Sequence, residues 1–382
     1  MELFNSCSQV ELKRFIELIG KFDIPSGHIT TIRTKSSGRI NKTVMPVMNH
    51  EGSGFKKYVL QRINTHVFHE PDELMDNVVA VTNHLRKKGF VTLHPYAVKN
   101  LQKDVSPYLF YDEVLDEHWR LYDFIESDVK DQVETENDMY HLGEAMGQLS
   151  LALNDFDAST LVETIPGFHN TSRRYSRFVN TFTSSDKVAR CKTCKEEIDF
   201  IVERREKVGI IVNALRDGKI PCRVSHNDPK LNNVLFDKST GKVLCLVDLD
   251  TVMPGTILYD FGDAARYGCN TASEEEVNLD LVCINFAYFR ALTEGLLESM
   301  KEVITEEEVK LLVTSFWMMT HELTIRFLDD HIDGNHYFGV PYDGKNLERA
   351  RVQLKLEKEI EANWDYLQKI VDETCVKVGI NF

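Results

Sequence analysis

The texture of the chain changes once, and that change constrains the fold more than any other feature. Up to about Glu126 the apolar residues alternate. Segments 28–35 (HITTIRTK), 43–48 (TVMPVM) and 58–63 (YVLQRI) read as strands, and Pro46 points to an edge or a bulge. Segment 71–88 reads as a helix, with Pro71 near its start, Leu74, Val78, Val81 and Leu85 at helical spacing, and Gly89 after it. A strand pair follows over 108–114 and 118–125. Beyond residue 126 helical periods dominate, over about 138–154, 195–217, 273–300, 305–328 and 347–377. One buried strand, 243–247 (VLCLV), stands among them, and 181–195 is the most loop-like interior stretch. Strands first and helices afterwards make an α+β protein rather than an alternating α/β one. The expected architecture has two lobes: a small β-rich lobe over 1–124 and a larger α-helical lobe over 125–382.

Charge removes several functions. Against 60 Asp and Glu stand 45 Lys and Arg, a net charge of −15. Nucleic-acid binders draw affinity from a basic face, and this chain has no basic block, so no nucleic-acid partner is expected. A content of 42% hydrophobic and 27% charged residues suits a folded globular chain. Residues 1–20 lack a basic segment followed by an apolar stretch, and no run of about 18 apolar residues occurs, so neither a secretory signal nor a membrane span is expected. The eight cysteines, from Cys7 to Cys375, read as reduced thiols of a cytoplasmic protein. No heptad seam marks a dimer, and the oligomeric state stays open.

Several motifs are absent. The Gly-Lys pairs lack the P-loop context, Gly52-x-Gly54 lacks a third glycine, and Cys191-x-x-Cys194 has no second ligand pair for zinc. One segment carries chemistry: 224–250, VSHNDPKLNNVLFDKSTGKVLCLVDLD. His226-x-Asp228-x4-Asn233 matches the catalytic-loop pattern of kinases, in which the Asp accepts the substrate hydroxyl proton and the Asn holds Mg²⁺. The strand-like NVLF follows, then a turn at Gly241, the return strand, and Asp248 at its end. Asp248 is the expected metal ligand, with Asp250 a candidate second one. Asp260-Phe261-Gly262 spells DFG but lies past Pro254 and Gly255, so Asp260 and Asp263 are expected to stabilise the loop and the helix after it.

This segment resembles the aminoglycoside phosphotransferase and choline kinase superfamily, and the resemblance extends over most of the chain. It implies a protein-kinase-like fold, ATP as co-substrate and Mg²⁺. Ser37-Gly38-Arg39-Ile40-Asn41-Lys42-Thr43 resembles the family's nucleotide loop, which assigns Gly38, Asn41 and Thr43 to the nucleotide. On the third strand the family has a basic residue that reaches the phosphates, here Arg62, whose guanidinium can contact two oxygens. Glu73 or Asp76 could pair with it. Segment 119–127 resembles the hinge that meets adenine. Within the superfamily, YVLQRIN, HNDPKLNNVLFD, VDLDTVMPGTILYDFGDAAR and the 325–338 run are most similar to bacterial N-acetylhexosamine 1-kinases. That resemblance implies transfer to an anomeric sugar hydroxyl, with Asp228, Tyr267, Arg326 and Tyr337 on the sugar. Arg39 stands where the family often has a substrate-contacting His, which leaves the identity of the sugar open. The alternatives are another small acceptor (choline, ethanolamine, homoserine or an aminoglycoside), for which Asp329, Asp330, Asp333 and Trp317 could hold a cation, and a non-catalytic nucleotide-binding module, which the intact loop disfavours.

Overall fold

The structure, a computed structural model, describes residues 4–5, 9–35, 41–52 and 54–382. Its N-terminal part is a six-stranded antiparallel sheet of β1 (Phe4–Asn5), β2 (Gly27–Lys35), β3 (Lys42–His50), β4 (Gly54–Ile63), β5 (Phe110–Asp112) and β6 (Glu117–Asp123), in the order β1-β2-β3-β4-β6-β5. Pro46 is not at an edge, because β3 lies between β2 and β4. The β3–β4 register runs unshifted from Val44↔Leu60 to Val47↔Lys57 and skips Met45 and Pro46, so the missing N–H interrupts the ladder without displacing it. The bulge falls on the neighbouring strand, between Ile29 and Thr31.

Successive strand residues face opposite sides. One face of the sheet packs Val44, Tyr58, Leu60, Trp119 and Leu121 against Phe15, Leu18 and Ile19 of the helix Gln9–Ile19. The other packs Ile63 and Tyr122 against Leu74, Met75 and Val78 of the helix Pro71–Lys87, and against Leu249 and Val252 of the C-terminal body. Arg62 therefore shares a side with Tyr58 and Leu60. Gln61 and its cross-strand partner Arg120 share the side that looks onto the C-terminal body.

The helical body departs from the expected spans at identifiable residues. Glu136–Ala152 opens on a capping box of Thr135 and Asp138. The 195–217 segment is two helices, Lys195–Glu203 and Ile210–Arg216, with Gly209 at the second start. Only the end of 273–300 is helical, Phe286–Met300; before it Asn270, Ser273 and Asn278 accept hydrogen bonds from backbone N–H groups two residues on, which favours turns. The long helix Leu312–Asp333 follows a separate turn at Glu306–Lys310, and Lys345–Ala362 and Trp364–Val378 are separated at Asn363. Thr171–Phe182 and Ile257–Gly268 are helices that the apolar pattern did not announce. Two small ribbons complete the body: β7 (Arg223–Ser225) with β10 (Met253–Gly255), and the hairpin β8 (Val234–Phe236) with β9 (Val243–Leu246). No helix among the described residues is long and apolar enough to cross a membrane.

Candidate active site

The two ribbons bring the ends of segment 224–250 together. β7 leads into His226-Asn227-Asp228, and the β8–β9 hairpin returns the chain to Asp248. Asn227 and Asp248 both adopt left-handed backbone, with φ of 64° and 65°. Such strain persists in non-glycine residues only where neighbours fix it. Here they do. Asp260, in the first turn of Ile257–Gly268, accepts from Ser225 Oγ (3.0 Å), His226 N–H (2.9 Å) and Asn227 N–H (2.6 Å). The Asn227 amide donates to Thr251 O at 2.8 Å, and Thr251 Oγ1 donates to His226 O at 2.7 Å. Asp260 thus anchors the loop, while Asp263 of the same helix pairs with Arg266 at 2.9 Å.

Asp228 projects from this scaffold, and Lys230 Nζ lies 2.6 Å from its Oδ1. Sequence reasoning missed Lys230, although Asp-Pro-Lys is legible in the loop. Burial would lower the Lys230 pKa, but the charge and hydrogen bond of Asp228 outweigh it and the net shift is upward. The Asn233 amide donates to Asp228 O at 3.2 Å, which leaves Asn233 Oδ1 as an acceptor. Asp248 stands exposed at the end of the β8–β9 hairpin. Desolvation by the protein around it, then the charges of Asp250 and Asp228, push its pKa up to about 6. No cationic side chain among the described residues lies at ion-pair distance from it. A carboxylate so placed, beside an amide oxygen, is a donor set suited to Mg²⁺, which takes one or two carboxylates and completes its shell with water and phosphate oxygens.

Asp250 is engaged differently. Arg120 of β6 approaches Oδ1 at 2.6 Å and Oδ2 at 2.8 Å, and the Asn41 amide donates to Oδ2 at 2.6 Å. Arg120 is buried and also donates to Gln61 Oε1. The sequence pointed to Arg62 as the cation near this site, but strand parity turns it to the opposite face, where it pairs with Glu117 at 2.6 Å. Neither Glu73 nor Asp76 is its partner: Glu117 lies on the adjacent strand, while Asp72 and Asp76 of the helix serve Ser106. Arg120 was missed: a charge alternating with apolar residues in HWRLYDFI reads as a solvent-facing side, and only the packing of the body on that face buries it. Thr43 accepts from Gln61 at 3.1 Å, on the inward face. Gly38 and Arg39 lie outside the described residues.

Beside the loop, His169 joins two elements. One ring nitrogen faces Asn227 O at 3.2 Å and the other Glu322 Oε1 at 3.0 Å. One turn beyond Glu322, Arg326 reaches a pocket lined also by Arg174, Arg177, Asp329, Tyr337 and Phe338. The structure brings Arg326 and Tyr337 together, with the guanidinium 5.9 Å from the ring centre. Tyr267 is not among the lining residues and is 51% exposed. Of the carboxylates considered for a cationic acceptor, Asp333 pairs with Lys187 (3.2 Å) and Asp330 accepts from the N–H groups of Tyr337 and Phe338 and the amide of Asn346, while Asp329 meets Arg177 (3.0 Å) through Oδ2 and keeps Oδ1 buried without a partner. Trp317 is a core residue whose Nε1–H donates to Glu361.

A strand sheet set over a helical body, with an Asp–Lys–Asn loop and a facing carboxylate between them, is the kinase-like α+β architecture. The sequence pattern of the phosphotransferase enzyme family matches residues 31–281, more than half of the chain, and the chain belongs to that family. Solved structures agree on the fold. An aminoglycoside phosphotransferase from Alicyclobacillus acidocaldarius is 12% identical with a TM-score of 0.59, over 93% of this chain and 95% of that one. An amicoumacin kinase is 10% identical with a TM-score of 0.58, over 92% and 96%. A microcompartment-associated aminopropanol kinase is 13% identical with a TM-score of 0.54, over 94% and 98%.

Proposed function

We propose that this phosphotransferase is an ATP-dependent kinase that transfers the γ-phosphoryl group to a sugar hydroxyl; the acceptor suggested by the sequence resemblance is the anomeric hydroxyl of an N-acetylhexosamine. The observation that carries the reading is the convergence of Asp228, Lys230, Asn233 and Asp248 on one cleft between sheet and body. Asp228 takes the hydroxyl proton, the acceptor oxygen bonds to the γ-phosphorus, and the bond from that phosphorus to the β–γ bridging oxygen breaks, so that ADP leaves with the electron pair. A hemiacetal hydroxyl is more acidic than an ordinary alcohol, which suits a carboxylate base. Lys230, within reach of Asp228, can move to a transferring phosphoryl oxygen, and the buried Arg120, bound to Asp250 and Gln61, ties the sheet to the loop. Asn233 and Asp248 would hold Mg²⁺, which when bound neutralises charge on the β- and γ-phosphates. Asp250, held by Arg120 and Asn41, acts by orienting Arg120.

The test is ADP release from Mg-ATP with a panel of sugars, amino alcohols and aminoglycosides. Sugar-dependent ADP formation is expected, and it should vanish in Asp248→Ala together with the strengthening of nucleotide binding by Mg²⁺. ADP release that no sugar accelerates, with a response to amino alcohols instead, would replace the sugar reading by the other acceptor class.

A further inference from the structure

The pocket beside His169 holds two guanidinium groups that the catalytic loop does not use. Arg174 comes from Thr171–Phe182 and Arg326 from Leu312–Asp333. Among the described residues neither has a carboxylate at ion-pair distance, whereas the third arginine, Arg177, is satisfied by Asp329 at 3.0 Å. Of the acids around the pocket, Glu322 gives Oε1 to His169 at 3.0 Å and Oε2 to the Thr171 hydroxyl at 2.8 Å, Asp330 accepts from the N–H groups of Tyr337 and Phe338, and Asp329 faces Arg177 with one oxygen and keeps Oδ1 buried without a partner. Arg174 gives one N–H to Phe168 O at 2.9 Å, and its Nε is buried with no partner. Arg326 lies among the rings of Phe168, Tyr337 and Phe338, at 5.7, 5.9 and 5.5 Å from their centres. Burial and the charge of Arg326 depress the pKa of Arg174, as expected of like charges held close together. Two guanidinium forks with no carboxylate at ion-pair distance, in a pocket whose acids Asp329 and Asp330 face Arg177 and backbone N–H groups, match a planar or tetrahedral oxyanion.

A relay of contacts links the pocket to the loop that carries Asp228. Phe168 accepts from Arg174, and the next residue, His169, contacts the carbonyl of Asn227, which precedes Asp228. We infer that the acceptor is an anionic sugar, whose carboxylate or phosphate group is gripped by Arg174 and Arg326 while one of its hydroxyls meets Asp228. The rings around Arg326 then cover the apolar face of the pyranose. This rests on the sugar-kinase reading above and narrows it, and it disfavours cationic acceptors, which the two arginines would repel.

The experiment is steady-state kinetics of the full chain with Mg-ATP on matched pairs: glucose with glucuronate, and N-acetylglucosamine with its 6-phosphate. At least one anionic member should exceed its neutral partner in kcat/KM by about tenfold or more, the usual worth of a charge-assisted hydrogen bond, and the pair that responds tells carboxylate from phosphate. Arg174→Gln should bring that ratio towards one, while Arg174→Lys, which keeps the charge, should retain part of it. If Arg174→Gln does not fold, the wild-type pairs and Arg174→Lys still decide. Neutral sugars accepted as well as or better than their anionic partners would overturn the inference and leave the sugar kinase standing. Failure of every sugar, charged or neutral, would overturn the sugar reading itself and the inference with it.

Discussion

Replacing one carboxylate oxygen of Asp228 by an amide nitrogen removes the proton acceptor and keeps the shape of the loop, which is set by Asp260 and Thr251 rather than by Asp228. Asp228→Asn should lower kcat by about 10²- to 10⁴-fold with nucleotide Kd retained, as read by kinetics beside calorimetry. The two arginines of neighbouring strands should separate as sharply. Arg62 is 43% exposed at its ion pair, so Arg62→Ala should cost about 1 kcal/mol of stability or less and leave nucleotide affinity intact. Arg120→Gln leaves a buried Asp250 carboxylate unpaired, and denaturant unfolding should show a loss of about 3–5 kcal/mol. Asp250→Asn in the same chain should restore part of it. Equal unfolding midpoints for the two single variants would contradict the assigned faces. That residue-scale result also shows what the sequence could and could not tell. Asp228, Asn233 and Asp248 were legible because their spacing is local, within one loop and one hairpin. Arg62 and Arg120 were not told apart, because facing is a matter of parity across strands distant in sequence. Arg174, His169 and Glu322 left no signal, because they meet only when separate helices pack.

Among the elements, the helices Glu136–Ala152 and Phe286–Met300 cross at glycines. A Cβ on Gly295 would stand 2.0 Å from Tyr140 O, and one on Gly143 would stand 2.2 Å from Leu292 O. Backbones this close admit no methyl group, so Gly295→Ala should lower stability by about 1–3 kcal/mol through a forced shift of the crossing, measurable as a lower urea midpoint at unchanged slope. A wild-type midpoint would mean that the helices can part freely. The helices that the sequence concealed were hidden for different reasons. Every residue of Ile257–Gly268 except Tyr267 is buried, Asp260, Asp263 and Arg266 among them, so its charged residues do not mark a solvent face. Thr171–Phe182 has the opposite character, buried only at Thr171 and Phe178, with Asn170 capping its start. Strands and amphipathic helices, such as β4 and Pro71–Lys87, stood out because one face meets a core and the other does not.

For the molecule as a whole, acid should act through buried carboxylates held in their charged form. Burial pushes Glu322 upward, but His169, then Arg326 and Arg174, pull it below the ordinary carboxylate value. Burial likewise raises Asp263, and Arg266 more than reverses it. A carboxylate with a depressed folded pKa contributes stability above its unfolded pKa, about 4, and loses it as pH falls through the folded value. The unfolding midpoint should thus rise slightly from pH 7 to about 5, as Asp248 takes up a proton in the folded state, and fall below about pH 4. The difference between the chain and Glu322→Gln should shrink over the same acid range, and a constant difference would show that Glu322 is not held in its charged form.

The tie between Asp260 and the catalytic loop reaches further than the loop. A Cβ on Gly262, in the same helix, would stand 2.4 Å from Ser315 O, so Ile257–Gly268 lies directly on Leu312–Asp333. That second helix carries Glu322 and Arg326, and His169 joins Glu322 back to Asn227. The proposed base and acceptor pocket therefore lie on directly packed elements, whereas the Arg120–Asp250 pair spans from them to the sheet. Swinging the sheet can change the grip on a nucleotide without changing the distance from acceptor to base. The kinetic counterpart is a random order of addition. Acceptor affinity measured with and without a non-hydrolysable nucleotide should differ by less than about fivefold, below the usual range of allosteric coupling, and either substrate can be the first to arrive.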